Sequence, residues 1–320
     1  MSERGDYSVT SWVGTHDFRD ARATYRSSVV DRSYSTARET KVAARDLIKT
    51  GIVLDTPTLV IVSDVTGSMG EWPAVMFSKL PYLIHELHSY LGDTAKLLIA
   101  AVGDATSDRY PLQVHEPKST FDEAKTALTS LVIEGGGGSQ TKESYELAAG
   151  YFLRAVDVAR TVKPILVFIG DESPYEQFTG AQCAVLGIAA ESMSTVDLFR
   201  ALNEVYDVYL IHKPYGSHSP RSEEVTERVR ADWGALLPPE HLIPLDMPER
   251  VVDIMFGILA NATGKIEDFK REITSRQTPE QVVTVFKSLS GLYSSAPREL
   301  SSGKSTMHKL AAGLPSKPLL

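Results

Sequence analysis

The segment Asp64-Val65-Thr66-Gly67-Ser68-Met69 sets a carboxylate and two hydroxyls at alternate positions. Placed in the loop between a strand and its following helix, all three side chains would project from one short stretch. Carboxylate and hydroxyl oxygens, with no sulfur or imidazole among them, are hard ligands that suit Mg²⁺, Mn²⁺ or Ca²⁺ and not Zn²⁺ or copper. The same residue types also cap helices, because each accepts hydrogen bonds from the free N–H groups of a first turn. Oxygens arriving from elsewhere in the chain would separate the two readings, and two stretches can deliver them. Gly135-Gly136-Gly137-Gly138-Ser139-Gln140-Thr141 is a glycine-rich connection carrying hydroxyls, and the apolar run Ile165–Gly170 ends at Asp171.

The surrounding pattern supplies the elements. Leu59-Val60-Ile61-Val62-Ser63-Asp64 reads as a buried parallel strand ending at its carboxylate. Phe77, Leu80, Leu83, Ile84, Leu87 and Leu91 recur at spacings of three and four, which predicts one long helix after the loop. Further strands are expected at Lys96–Gly103, Ile165–Ile169, Val208–His212 and His241–Leu245, with an edge strand around Tyr110–His115. Helices are expected at Phe121–Leu131, Glu143–Val162, Thr195–Val205, Glu223–Leu236 and Pro248–Ala262. This alternation predicts an α/β fold, a doubly wound and mostly parallel sheet with helices on both faces. In such sheets ligands bind beyond the carboxyl ends of the strands where strand order reverses, so Asp64's partner oxygens are expected from the loop of a strand that does not neighbour its own.

Asp64-x-Thr66-x-Ser68, then Thr141 after glycines, then Asp171 after an apolar strand, resembles the metal-ion-dependent adhesion site of von Willebrand factor A domains. The resemblance covers Thr58–Ala262 and implies a Rossmann-like fold of that family. It implies that Thr66 and Ser68 bind Mg²⁺ directly, that Thr141 joins them in the high-affinity state, and that Asp64 and Asp171 act mainly through waters. A carboxylate from a partner protein would fill the open position. Four consecutive glycines leave Ser139 as an alternative to Thr141, and Glu172 stands where many members have glycine. Intracellular members often work beside AAA+ ATPases, which makes such an ATPase an implied partner.

Other features carry less. The glycine run lacks the Lys-Ser/Thr and the preceding strand that a phosphate-binding loop requires. His85, His88, His212, His218 and His241 form no zinc signature. Asp104 and Asp108 are expected in a solvated loop, and Arg4-Gly5-Asp6 is read as coincidence.

With 320 residues, 42% hydrophobic and 23% charged, the chain has an ordinary globular composition. Three regions are expected: a polar arm over 1–50, a von Willebrand factor A domain over 51–264, and C-terminal helices with a flexible tail over 265–320. Within the last, helices are expected at Lys265–Arg276 and Pro279–Leu289, and the arm is helical only over Thr36–Thr50. A net charge of −8 argues against nucleic acid. Cys183 is the only cysteine, so no intrachain disulfide forms, and with no signal peptide or membrane-spanning stretch read in the sequence a cytoplasmic location is expected. The function expected is a non-enzymatic, cation-dependent protein-binding module in an intracellular assembly. The alternatives are a metal-dependent hydrolase, which a His or Lys beside the metal would favour, and a structural subunit whose termini wrap neighbours.

Overall fold

The computed structural model describes residues 42–70, 72–133, 141–159, 162–188, 191–215 and 220–294. Gly135–Gly138, Ser139, His218 and nearly all of the arm and tail lie outside the described residues.

A six-stranded sheet organises the chain: β1 Thr58–Asp64, β2 Lys96–Val102, β3 Leu112–Val114, β4 Ile165–Gly170, β5 Asp207–His212 and β6 Leu242–Pro244. The spatial order is β6-β5-β4-β1-β2-β3. All neighbours are parallel except β3, which runs antiparallel to β2 at the edge. Strand order therefore reverses between β1 and β4, and the crevice between their carboxyl ends is the switch point. Asp64 ends β1 and Asp171 follows β4. The strand bearing Asp171 is thus a hydrogen-bonded neighbour of β1, with Ser63 paired to Ile169, contrary to the expectation of a non-adjacent strand. At a switch point the two connections leave in opposite directions, so the strands that flank the crevice lie side by side.

Strand side chains alternate between two cores. Leu59, Ile61, Ile99, Val167 and Ile211 face one core, and Val60, Val62, Leu98, Phe168 and Leu210 face the other. The first core is covered by α1 Trp72–Lys79, α2 Leu83–Leu91, α3 Phe121–Ser130 and, further along the chain, α8 Val251–Thr263, α9 Ile266–Arg276 and α10 Pro279–Ser294. The second is covered by α4 Tyr145–Arg154, α5 Gly180–Val185, α6 Thr195–Val205 and α7 Pro220–Gly234. The sheet is wound on both faces, as the alternation of elements predicts. Phe269, Ile273, Val285, Leu289 and Leu292 belong to the first core, so α9 and α10 pack as part of the same body.

Three expected helices differ from the sequence pattern, and α5 has no counterpart in it. The expected long helix is two, α1 and α2, joined by a 3₁₀ turn over Leu80–Tyr82, because Pro81 cannot donate the helical hydrogen bond. Its apolar stripe still faces a single core. The helix expected over Glu143–Val162 is confined to Tyr145–Arg154: Glu143 pairs into a short strand, and Asp157–Val158 pairs in parallel with Val53–Leu54. Of Thr36–Thr50, the described part forms a 3₁₀ turn over Ala44–Leu47 and a bridge from Ile48 to Val114.

Candidate functional site

β1 delivers Asp64 at 0% exposure to the carboxyl edge of the sheet. The chain then turns at once. Thr66 is extended, Gly67–Met69 makes one 3₁₀ turn, and Gly70 takes a positive φ of 58° that favours glycine. Asp64 Oδ1 accepts from the Thr66 amide at 2.8 Å and from the Thr66 hydroxyl at 2.6 Å. The Thr66 and Ser68 hydroxyl oxygens lie 3.2 Å apart, and Ser68 Oγ donates to Asp171 Oδ1 at 2.8 Å. Four of the five residues singled out in the sequence therefore form one chain of contacts across the switch point.

Thr141 stands apart from them. Its carbonyl accepts from the Ser173 amide at 3.4 Å beside the parallel pairing of Lys142–Glu143 with Ser173–Pro174. Its hydroxyl accepts from Arg228 on α7. Among the described residues, no hydrogen bond joins Thr141 to Asp64, Thr66, Ser68 or Asp171. The side chain that reaches Asp64 from this part of the chain is Tyr145, whose hydroxyl donates to Asp64 Oδ2 at 2.6 Å. Gly170 makes room for it: a Cβ there would lie 1.8 Å from Tyr145 Oη.

Lys213, just past β5, is the second residue that the motif did not disclose. Its Nζ donates to Asp171 Oδ2 at 2.6 Å, to the Ser68 carbonyl at 3.0 Å and to the Pro214 carbonyl at 3.3 Å. It also lies 5.7 Å from the Trp72 ring centroid, within reach of the aromatic face. A lysine at the end of a predicted strand is the only signal the sequence offers, and it is a weak one.

Carboxyl groups crowd this edge. Burial, then the Asp171 charge, push Asp64 up to about 7. Burial also raises Asp171, against the pull of Lys213. Behind them Glu143 and Glu172 each have a buried Oε2 with no hydrogen-bond partner. Burial and the Asp64 charge push Glu143 up to about 11, and burial and the Asp171 charge push Glu172 up to about 8. A divalent cation placed among these groups would offset the carboxylate repulsion and the cost of burying their charge.

The spacing of the oxygens fits such an ion. Neighbouring oxygens around an octahedral Mg²⁺ with bonds of about 2.1 Å lie about 3 Å apart. The two hydroxyl oxygens expected to bind directly, Thr66 Oγ1 and Ser68 Oγ, lie 3.2 Å apart, while the Asp64–Thr66 and Ser68–Asp171 separations of 2.6 and 2.8 Å are hydrogen bonds. Among the described residues no three His, Cys, Asp or Glu side chains group as ligands, so a metal here would depend on the two hydroxyls.

Asp104 departs from the solvated loop expected of it. It is 2% exposed and accepts from the Thr106 and Ser107 hydroxyls at 2.6 and 3.0 Å and from Tyr175 at 3.1 Å. His212 and His241 are buried, the latter against the Val208 carbonyl. No helix among the described residues is long and apolar enough to cross a membrane.

No known family model matches the chain, and no curated protein does. Solved structures match part of it at low identity. The pilus adhesin SpaC from Lactobacillus rhamnosus GG, in its open conformation, gives a TM-score of 0.46 at 13% identity, covering 70% of this chain and 31% of the adhesin. Proximal thread matrix protein 1 from the mussel byssus gives 0.42 at 10% identity, covering 69% of this chain and 49% of that one. A von Willebrand factor type A protein from Catenulispora acidiphila gives 0.40 at 15% identity, covering 69% and 48%. The matched part of this chain thus spans between 31% and 49% of the length of these structures.

Proposed function

We propose that the chain is a protein-binding module of the von Willebrand factor A type that grips its partner through a divalent cation. In this reading Mg²⁺, or Mn²⁺ or Ca²⁺ in its place, is held by Thr66 and Ser68, with Asp64 and Asp171 supporting it through waters. Thr141 joins when the site tightens. The position left open accepts an Asp or Glu carboxylate of the partner protein. The contact of Ser68 Oγ with Asp171 Oδ1 at 2.8 Å carries the reading, because it joins the two loops that a metal would bridge. A helix cap alone would need no carboxylate from β4.

Lys213 beside Asp171 is the feature that favours the second reading, a metal-dependent hydrolase. A general base needs a lone pair aimed at the proton it takes. Lysine has three donors and no acceptor, and all three of Lys213's are directed at Asp171, Ser68 and Pro214. A groove of about 320 Å³ lined by Lys163, Arg200 and His241 opens at the opposite, amino-terminal end of β5, far from the acidic edge. Binding is therefore the better use of the site.

A cytoplasmic assembly is the setting we propose, with an AAA+ ATPase as one partner of the right class; the buried free thiol of Cys183 is compatible with a reducing compartment. The test is capture of partners by the immobilised chain in Mg²⁺ and in chelator, read by mass spectrometry. Partners lost in chelator and lost again with Ser68→Ala support the module. Partners retained in both, or product formed from a substrate panel only when metal is present, contradict it.

A further inference from the structure

The acidic edge already contains one cation. Lys213 is 6% exposed, and its ammonium lies 2.6 Å from one oxygen of Asp171 while Ser68 holds the other at 2.8 Å. The same ammonium takes the carbonyl of Ser68, the residue whose hydroxyl stands in the oxygen cluster. A buried carboxylate needs a counter-charge, and here the chain supplies its own. A divalent ion drawing on Ser68 and Asp171 would share that carboxylate with a like charge in a poorly solvated place, where repulsion is strong.

We propose that Lys213 is a tethered counter-cation that occupies Asp171 in the metal-free protein and must be displaced for a divalent ion to bind. It follows that Lys213 sets the cation affinity, and that metal entry frees the Ser68 carbonyl and breaks the contact with Trp72. The inference rests on the metal-binding reading of this site. Lysine suits the role because its long stem lets the ammonium swing to solvent without backbone movement. Removing the ammonium should have two opposite effects. Without metal, Asp171 loses its partner and the fold weakens. With metal, the competitor is gone and binding tightens.

Titration calorimetry of Mn²⁺ into the full chain tests this with wild type, Lys213→Met and Lys213→Arg. We expect Lys213→Met to bind about tenfold tighter or more, a difference of about 1.4 kcal/mol. Lys213→Arg, which keeps the charge, should bind as weakly as wild type. In EDTA, Lys213→Met should melt below wild type and regain the loss with Mn²⁺. A second measurement needs no variant: reductive methylation of the wild type, mapped by mass spectrometry, should leave Lys213 protected in EDTA and modify it in saturating Mg²⁺. That result decides the matter if Lys213→Met does not fold. Equal or weaker Mn²⁺ binding by folded Lys213→Met, or unchanged protection of Lys213 at saturating metal, overturns the proposal and leaves the metal site standing. Absence of cation binding by all three proteins overturns both. Binding by Lys213→Met alone supports the tether and overturns cation dependence of the natural chain.

Discussion

The Tyr145 hydroxyl donates to Asp64 Oδ2 at 2.6 Å, so the first turn of α4 anchors the carboxylate at the end of β1. Both side chains are fully buried. With Thr66 on Oδ1, Asp64 is bonded at both oxygens. Tyr145→Phe removes one charge-assisted bond from a buried group, which costs about 1.5–3 kcal/mol. Because that bond also favours the charged form of Asp64, the variant should bind Mg²⁺ more weakly at neutral pH. Denaturant unfolding reads the first effect and metal titration the second; unchanged values would mean that the contact does not order the site.

Gly170→Ala attacks the same pair from β4. The new Cβ would lie 1.8 Å from Tyr145 Oη and 2.7 Å from its Cζ, so the ring must move. Overpacking of this kind costs about 1–3 kcal/mol. Much of that loss is the loss of the Asp64 contact, so Gly170→Ala and Tyr145→Phe combined should cost less than the sum of the two in a double-mutant cycle. A cost equal to the sum would show that the two act independently.

The raised carboxyl groups fix the sign of the pH dependence. Asp64 at about 7 and Glu172 at about 8 hold their protons more tightly folded than unfolded. Their contribution to stability is present below the ordinary carboxylate range and is lost as pH rises through those values. In EDTA the melting temperature should therefore fall between about pH 6.5 and pH 8, above the range in which buried His212, pushed down to about 3, works in the opposite direction, by the equivalent of a few kcal/mol at most. Saturating Mg²⁺ favours the ionised form of Asp64 through its charge and should shrink that fall. A metal-free melting curve that rises over the same range would contradict the burial of these groups.

Leu289 on α10 probes whether the C-terminal helices belong to the core. Its Cδ1 would meet a Cβ on Gly257 of α8 at 2.2 Å, so the two helices touch where α8 has no side chain. Leu289→Ala leaves a hole at a fully buried position and should cost about 2–5 kcal/mol. A chain ending at Gly264 should aggregate, because α8 residues packed against Phe269, Val285 and Leu289 would face water. A soluble, cooperatively melting 42–264 fragment would show instead that the sheet closes without α9 and α10.

The sheet was legible because its strands are short β-branched runs and its helices carry stripes of period 3.6, both of which survive without tertiary knowledge. Asp64, Thr66, Ser68 and Asp171 were legible because each sits at a strand end or in the loop after it. Tyr145 and Lys213 were not, since a tyrosine in an apolar helix and a lysine after a strand are ordinary residues until the fold brings them to Asp64 and Asp171. Asp104 looked solvated because its loop is polar, yet the loop's own hydroxyls and Tyr175 close over it. Pro81 breaks α1 from α2, a stop that the stripe from Phe77 to Leu91 does not show because its spacing runs on through the 3₁₀ turn.

The central claim is that the Asp64 cluster holds a divalent cation, and thermal unfolding of wild type and Asp64→Asn with and without Mg²⁺ tests it most directly. The asparagine keeps the size of the side chain and its bond from Thr66 while removing the charge. A ligand at about 100 times its dissociation constant adds about 2.7 kcal/mol of stability to the state that binds it. The account predicts that Mg²⁺ raises the wild-type melting temperature by that equivalent and leaves Asp64→Asn where it was. A wild type indifferent to Mg²⁺, Mn²⁺ and Ca²⁺ alike, or an Asp64→Asn protein that responds as strongly as wild type, would contradict it and reduce the Asp-Thr-Ser cluster to a turn that caps its own backbone.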